Sequence, residues 1–438
     1  MTKINRYNVK DLTLEIPVLN KLDTFIVNRL NSNNDFERIE KIDKKNILSS
    51  IIKGRKFAFP SSIYGHRFGS DQSISWNLRA NTSSDSYITD SRGILKNNLD
   101  DLNVYDRILN AKKKNLPVIL MFGGSTMMSM GGSTPNFSIP SLVEGILKAK
   151  YDTEVVCINY GLGGTCSREA LDLYIHDARE LIKSANVVFY DGWNCSTYLT
   201  QIHRLRSSRE NTIKNLASAG DTYRTTENNF VLLNFYSLSW HLKRVLSLFV
   251  ANIFSFVATV LFKKFKTFSK NLQTLFSIIQ NKLFTTPHDR FKKIINNLDN
   301  SDKLITAAVE KAVVQYIDIH ECTDAVCKAN NSKFVWMQQP TVYWGNKPLT
   351  DNELEYKHTN WGSDNVSNIY SEFEDKFSSE FKSSKNNKLK ESFYDLTGEF
   401  DAITKELYLD TGHLNMTGNL VISAKIANIL FNKKDFLK

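Results

Sequence analysis

The chain has little with which to staple itself or to hold a metal. Its 438 residues include only 5 cysteines, an odd number without framework spacing, which excludes a disulfide-stapled scaffold. Cys157 and Cys195 lie in or beside apolar runs that read as buried strands. Cys322 and Cys327 stand five apart in a helical stretch, with no second pair to complete a zinc site. Reduced, structural thiols are therefore expected. Histidine is also scarce: His66, His176, His203, His241, His288, His320 and His358 are scattered without ligand spacing. After Met1 there is no apolar core, and the polar lead-in runs on to Asp11 and Glu15. No signal peptide and a cytoplasmic setting are expected from it.

One long stretch lacks acid altogether. Between Asn228 and His288 there is no Asp or Glu, while Lys243, Arg244, Lys263, Lys264, Lys266, Lys270 and Lys282 are present. Within it the 18-residue apolar run 245–262 is bracketed by basic pairs. A membrane span needs about 20 apolar residues, so this run is barely long enough. It also carries Asn252 and several hydroxyls, and a single span would split a domain whose halves must meet. For the insertion as a whole, residues 196–300, a helical lid is the first expectation. Peripheral contact of 240–285 with an anionic membrane surface is the second. The formal charge of +10 does not by itself point to nucleic acid. Such binding needs a focused basic face and a recognisable module, and neither is visible. Much of the excess sits in Asn/Ser/Lys-rich segments such as 382–390, which read as solvated loops.

What is present is strand–helix alternation, with enough apolar sequence (42%) for a sizeable core. Residues 1–115 read as an N-terminal extension, helical over 18–30 and 39–52, with β-like pieces at 57–59, 74–76 and 87–89. Tyr64, His66, Arg67, Trp76 and Arg79 could line a polar groove, although ordinary packing and surface roles suit them better. From 116 to 438, apolar runs at 118–122, 155–158, 187–190, 334–338 and 393–396 predict five strands. Helices are predicted from about 139, over 168–183, over 303–328 and over 417–431. Continuous apolar strands between helices imply a parallel sheet covered on both faces. In such folds ligands gather beyond the carboxyl ends of the strands. Ser125, Gly164 and Asn194 all fall just past strand ends.

Those three residues, with Asp410 and His413, form a chemically coherent set. Ser125 follows two glycines at an abrupt strand end, where a tight turn can present a hydroxyl. That hydroxyl attacks a carbonyl only if a base takes its proton. Asp410, three residues before His413, can hold Nδ1–H and leave Nε2 facing the nucleophile. Gly164 can offer an unobstructed backbone N–H and Asn194 an amide N–H to a developing oxyanion. Singly, each has an ordinary reading: a turn, a phosphate-cradling loop, a surface histidine. The phosphate loop lacks its Gly-Lys-Ser/Thr ending, and the Gly-x-Ser-x-Gly elbow of other hydrolases is also missing.

Taken in order, these segments resemble the SGNH hydrolases, also called GDSL-type esterases and lipases, over about 117–196 and 333–430. Phe122-Gly123-Gly124-Ser125-Thr126 is similar to the nucleophile block, with Gly-Gly-Ser in place of the usual Gly-Asp-Ser. Asn159-Tyr160-Gly161-Leu162-Gly163-Gly164 is similar to the second block, whose last glycine supplies an oxyanion donor. Gly192-Trp193-Asn194 resembles the Gly-x-Asn-Asp block, with Cys195 where the family usually has Asp. Asp410-Thr411-Gly412-His413 matches the Asp-x-x-His block. The resemblance implies a flavodoxin-like three-layer α/β/α sandwich, hydrolysis of an acyl ester, and neither a metal nor an organic cofactor. The expected substrate is a short acyl ester, acetyl first, on a carbohydrate or related polar molecule, with Tyr343 and Trp344 as candidate sugar platforms. O-acyl transfer by the same residues, a lipid ester, and a membrane-associated binding protein with a relic site are the alternatives.

Overall fold

The computed structural model describes residues 6–31, 64–65, 77–78, 81, 87–97, 103–128, 135–207, 302–358, 365–383, 387–433 and 435–437. Its centre is a five-stranded parallel sheet: β1 (Val118–Gly123), β2 (Val156–Gly161), β3 (Asn186–Asp191), β4 (Phe334–Gln338) and β5 (Phe393–Asp395). The spatial order is β2-β1-β3-β4-β5, the flavodoxin-like order, whose ligand crevice opens between β1 and β3. Ser125 follows β1 and Asn194 follows β3, so the topology brings both to that crevice. Every residue of β1, β3 and β4 is buried. Runs such as Val-Ile-Leu-Met-Phe suit a strand that has helices on both faces and no solvent side. The fold is accordingly a three-layer α/β sandwich.

The helices are α1 (Arg6–Glu15), α2 (Asp23–Asn31), α3 (Val104–Lys113), α4 (Ser125–Met128), α5 (Ile139–Tyr151), α6 (Ser167–Leu173), α7 (Trp193–Ser207), α8 (Asp302–Ala329), α9 (Asp351–His358), α10 (Asn365–Ser383), α11 (Asn387–Ser392) and α12 (Met416–Asn432). Helix α5 packs against α12. A cluster of Tyr316 from α8, Phe373 and Phe377 from α10, and Trp336 from β4 joins α8 and α10 to the sheet. Ser138 caps α5, accepting the Ser141 N–H, with Pro140 in the first turn, where a missing N–H costs nothing. Helix α6 continues through a π turn, Tyr174–Ala178, to Leu181.

Several expectations need correction. The single helix expected over 18–30 is broken: a 3₁₀ turn, Pro17–Leu19, is followed by Lys21 in the left-handed region, and α2 starts only at Asp23. The supposed solvated loop over 382–390 is partly helical, ending α10 and beginning α11, with Leu389 buried. Helix α7 runs unbroken past residue 196 to Ser207. The expected segments 39–52, 57–59 and 74–76 lie outside the described residues.

The chain divides into two compact units, 1–200 with 306–438, and 201–305. In the first unit the described N-terminal residues dock on the sandwich. Arg29 donates to the Ser141 carbonyl at 3.1 Å and Lys150 to the Val18 carbonyl at 3.3 Å. Asp90 organises the 87–97 segment by accepting the N–H groups of Arg92, Ile94 and Val104. Leu95 then bridges Asn159, so this segment covers the edge strand β2. In the second unit, residues 208–301 lie outside the described residues, and with them the 245–262 run on which the lid and membrane expectations rest. Among the described residues no helix is long and apolar enough to cross a membrane.

Candidate active site

The turn that carries Ser125 is built by close approach. β1 ends at Gly123, and α4 begins with Ser125 itself. The Gly123 carbonyl accepts the Leu162 N–H at 3.0 Å and the Thr165 hydroxyl at 3.2 Å, which ties the turn to the loop after β2. Gly124 has a specific steric reason to lack a side chain. A Cβ there would stand 2.6 Å from Nδ2 of Asn194. The amide therefore lies directly beside the Gly124–Ser125 turn.

His413 comes from a turn before α12. Leu409 N–H donates to the His413 carbonyl at 2.8 Å and Asn415 N–H to the Leu407 carbonyl at 2.8 Å, closing a tight loop. Inside it Asp410 Oδ1 accepts the N–H groups of Gly412 (2.9 Å) and His413 (2.8 Å). Oδ2 lies 2.6 Å from His413 Nδ1, and His413 Nε2 lies 2.7 Å from Ser125 Oγ, across 288 positions of sequence. Burial pushes the Asp410 carboxyl up. The imidazole beside it and the two backbone N–H groups outweigh that, and its pKa falls to about 2. An ionised carboxylate on Nδ1 fixes the tautomer in which Nε2 is the acceptor. The Trp193 ring meets the imidazole edge to face, centroids 5.1 Å apart, and limits its tilt.

Gly164 and Asn194 lie on the other two loops. Gly164 has φ of 72°, a conformation that favours glycine, in the loop between β2 and α6. Asn194 Nδ2 donates to the Thr165 carbonyl at 2.9 Å, which leaves the second N–H of the amide to point elsewhere. Ser125 and His413 are 7% and 5% exposed, so charge developing here would meet preorganised dipoles rather than bulk water. Ser125, His413 and Asp410 thus form one hydrogen-bonded line, the Asn194 amide lies beside Gly124, and Gly164 sits in the loop after β2. Among the described residues no group of three or more His, Cys, Asp or Glu is placed to hold a metal.

One expectation fails at the site and two features were missed. Tyr343 and Trp344 are not open sugar platforms: both are buried, Tyr343 stacked on Tyr370 and Trp344 donating to the Tyr370 carbonyl. The suggested groove residues His66, Arg67, Trp76 and Arg79 lie outside the described residues, and of Tyr64 only the backbone is described, in a short antiparallel pair with Leu78. Sequence reasoning missed Glu353 of α9. It is fully buried, paired with Lys347 at 2.6 Å, and accepts the N–H groups of Leu407 and Tyr408 just before the Asp410 turn. It also missed Asp191, whose buried carboxylate lies three residues before Asn194. Neither carries a local motif, because each acts through partners distant in sequence. No protein-family model matches this chain, and no curated protein matches it in sequence.

Proposed function

We propose that the chain is a serine esterase of the SGNH type, acting through an acyl-enzyme. The observation that carries this is the continuous hydrogen-bonded line Asp410–His413–Ser125, with links of 2.6 and 2.7 Å. In the reaction, His413 Nε2 takes the Ser125 proton as Oγ attacks the ester carbonyl. The oxyanion is met by the N–H groups of Ser125 and Gly164 and by the Asn194 amide. His413 then returns the proton to the leaving alcohol, and a water activated by the same nitrogen releases the acid. Asp410 keeps the imidazole in one tautomer and stabilises its protonated form.

The substrate proposed is a short acyl ester, acetyl first, on a carbohydrate or other polar molecule. That choice rests on the family resemblance, since Tyr343 and Trp344 no longer argue for sugar. A fluorophosphonate probe tests the reading. It is expected to label the folded wild type at Ser125 and to leave Ser125→Ala untouched. Absent labelling, or equal labelling of the two, would favour a binding protein with a relic site.

A further inference from the structure

Asp191, the last residue of β3, carries a carboxylate that the mechanism above does not use. Its side chain is 5% exposed and surrounded by donors. Oδ2 accepts the Ser167 hydroxyl at 2.6 Å and faces His320 Nε2 at 3.4 Å. Oδ1 accepts the Tyr316 hydroxyl at 2.7 Å and the Trp336 indole N–H at 3.2 Å. His320 and Tyr316 lie one turn apart on α8, and the imidazole stacks on Trp336 with centroids 3.6 Å apart. Burial alone would push the carboxyl pKa up, but the imidazole and the hydroxyl donors hold it below its ordinary value. A charge buried this deeply is costly unless fully paired, so its position calls for a reason.

The segments it joins are those that carry the oxyanion donors. Ser167 stands three residues after Gly164, and Asp191 three before Asn194. Cys195, next to Asn194, completes the clamp: its sulfur accepts the Ser167 N–H at 3.1 Å and lies 3.0 Å from the Ser167 hydroxyl. Ser167 and Cys195 are both 0% exposed. A sulfur here takes the Ser167 N–H without setting a second carboxylate against Asp191, which like-charge repulsion would oppose. The two loops are thus tied at two points, by Asn194 to Thr165 and by Asp191 with Cys195 to Ser167.

We propose that Asp191, acting through Ser167 and Cys195, is a positioning residue of the oxyanion hole. It fixes the separation between the Gly164 N–H and the Asn194 amide. This inference rests on the esterase reading and adds the part that sets its donor geometry. Side chains that hold donors in register matter because an oxyanion bond is strong only when its donor lies within about 2.7–3.1 Å and well aligned.

The test uses the full chain with Ser167→Ala and Asp191→Asn. The readouts are kcat, KM and the pH midpoint of kcat/KM on p-nitrophenyl acetate, with the affinity for phenylboronic acid. The tetrahedral adduct of that acid on Ser125 places an oxygen in the hole. Both variants are expected to lose roughly tenfold or more in kcat and a similar factor in boronate affinity. KM and the pH midpoint stay near wild type, because the Ser125–His413–Asp410 line is untouched. Unchanged kcat in either folded variant overturns the inference. So does a loss of kcat that comes with a shifted pH midpoint and intact boronate affinity. Should Asp191→Asn fail to fold, Ser167→Ala, which removes a single hydroxyl, decides. A wild type that neither hydrolyses the ester nor labels at Ser125 counts against the esterase reading itself. An active wild type with indifferent variants counts against this inference alone.

Discussion

Adding one methyl group at Gly124 should disable the oxyanion hole while sparing the Ser125–His413–Asp410 line. The Cβ of Gly124→Ala would meet Asn194 Nδ2 at 2.6 Å and the Thr165 carbonyl at 3.4 Å, the first well inside the 3.0 Å that real Cβ atoms respect. The amide is held by its 2.9 Å bond to Thr165, so retreat breaks that bond and withdraws the donor. Losing one donor of this kind costs about 10²–10³ in kcat, or about 3–4 kcal/mol of barrier. On p-nitrophenyl acetate we expect kcat to fall by about that factor with KM within about threefold. Asn194→Ala should lose a comparable factor, and the double variant should be no worse than either single one, because both remove the same donor. Near-wild-type activity in Gly124→Ala would refute the reasoning. Losses that multiply in the double variant would do the same.

Three further outcomes follow from the charges. Burial, with Asp395 nearby, raises the Glu374 pKa to about 7. A raised carboxyl costs stability as pH climbs from the unfolded value to the folded one. Glu374→Gln should therefore stabilise the fold by about 2–3 kcal/mol at pH 8 and hardly at all at pH 4, read by urea unfolding. The Asp410 pKa is depressed to about 2, so its contribution of about 2 kcal/mol is present above pH 4 and fades as pH falls through 2. Unfolding free energies of Asp410→Asn and wild type should converge over that window, and kcat of the variant at pH 7 should be lower by about 10³–10⁴. Glu353→Gln leaves Lys347 buried without its partner, at a cost of about 3–5 kcal/mol by denaturant titration. Pairing it with Lys347→Met should recover part of that loss.

Much of the sheet was legible in the sequence because its strands are apolar on both faces. Val118 to Phe122 and Phe334 to Gln338 leave no solvent side, and a continuous run between helices admits few other placements. The strand order was not legible from the runs alone, since β1 pairs with both β2 and β3 through contacts that no local pattern encodes. The Asp410–His413 pair could be read because both sit in one turn, where spacing is geometry. Asp191 could not, since its partners Ser167, Tyr316, His320 and Trp336 come from three other segments. Tyr343 and Trp344 misled for a related reason. Two polar aromatics side by side suit a sugar platform as well as a core, and only Tyr370, arriving from α10, decides which they are.

The most direct measurement is acid quenching of a rapid reaction with p-nitrophenyl acetate, followed by mass analysis of the peptides. The expected result is a burst of nitrophenolate close to the amount of enzyme, with acetyl on the peptide containing Ser125 and none in Ser125→Ala. Acetyl on another residue, or ester turnover undiminished in both Ser125→Ala and His413→Ala, would contradict the account.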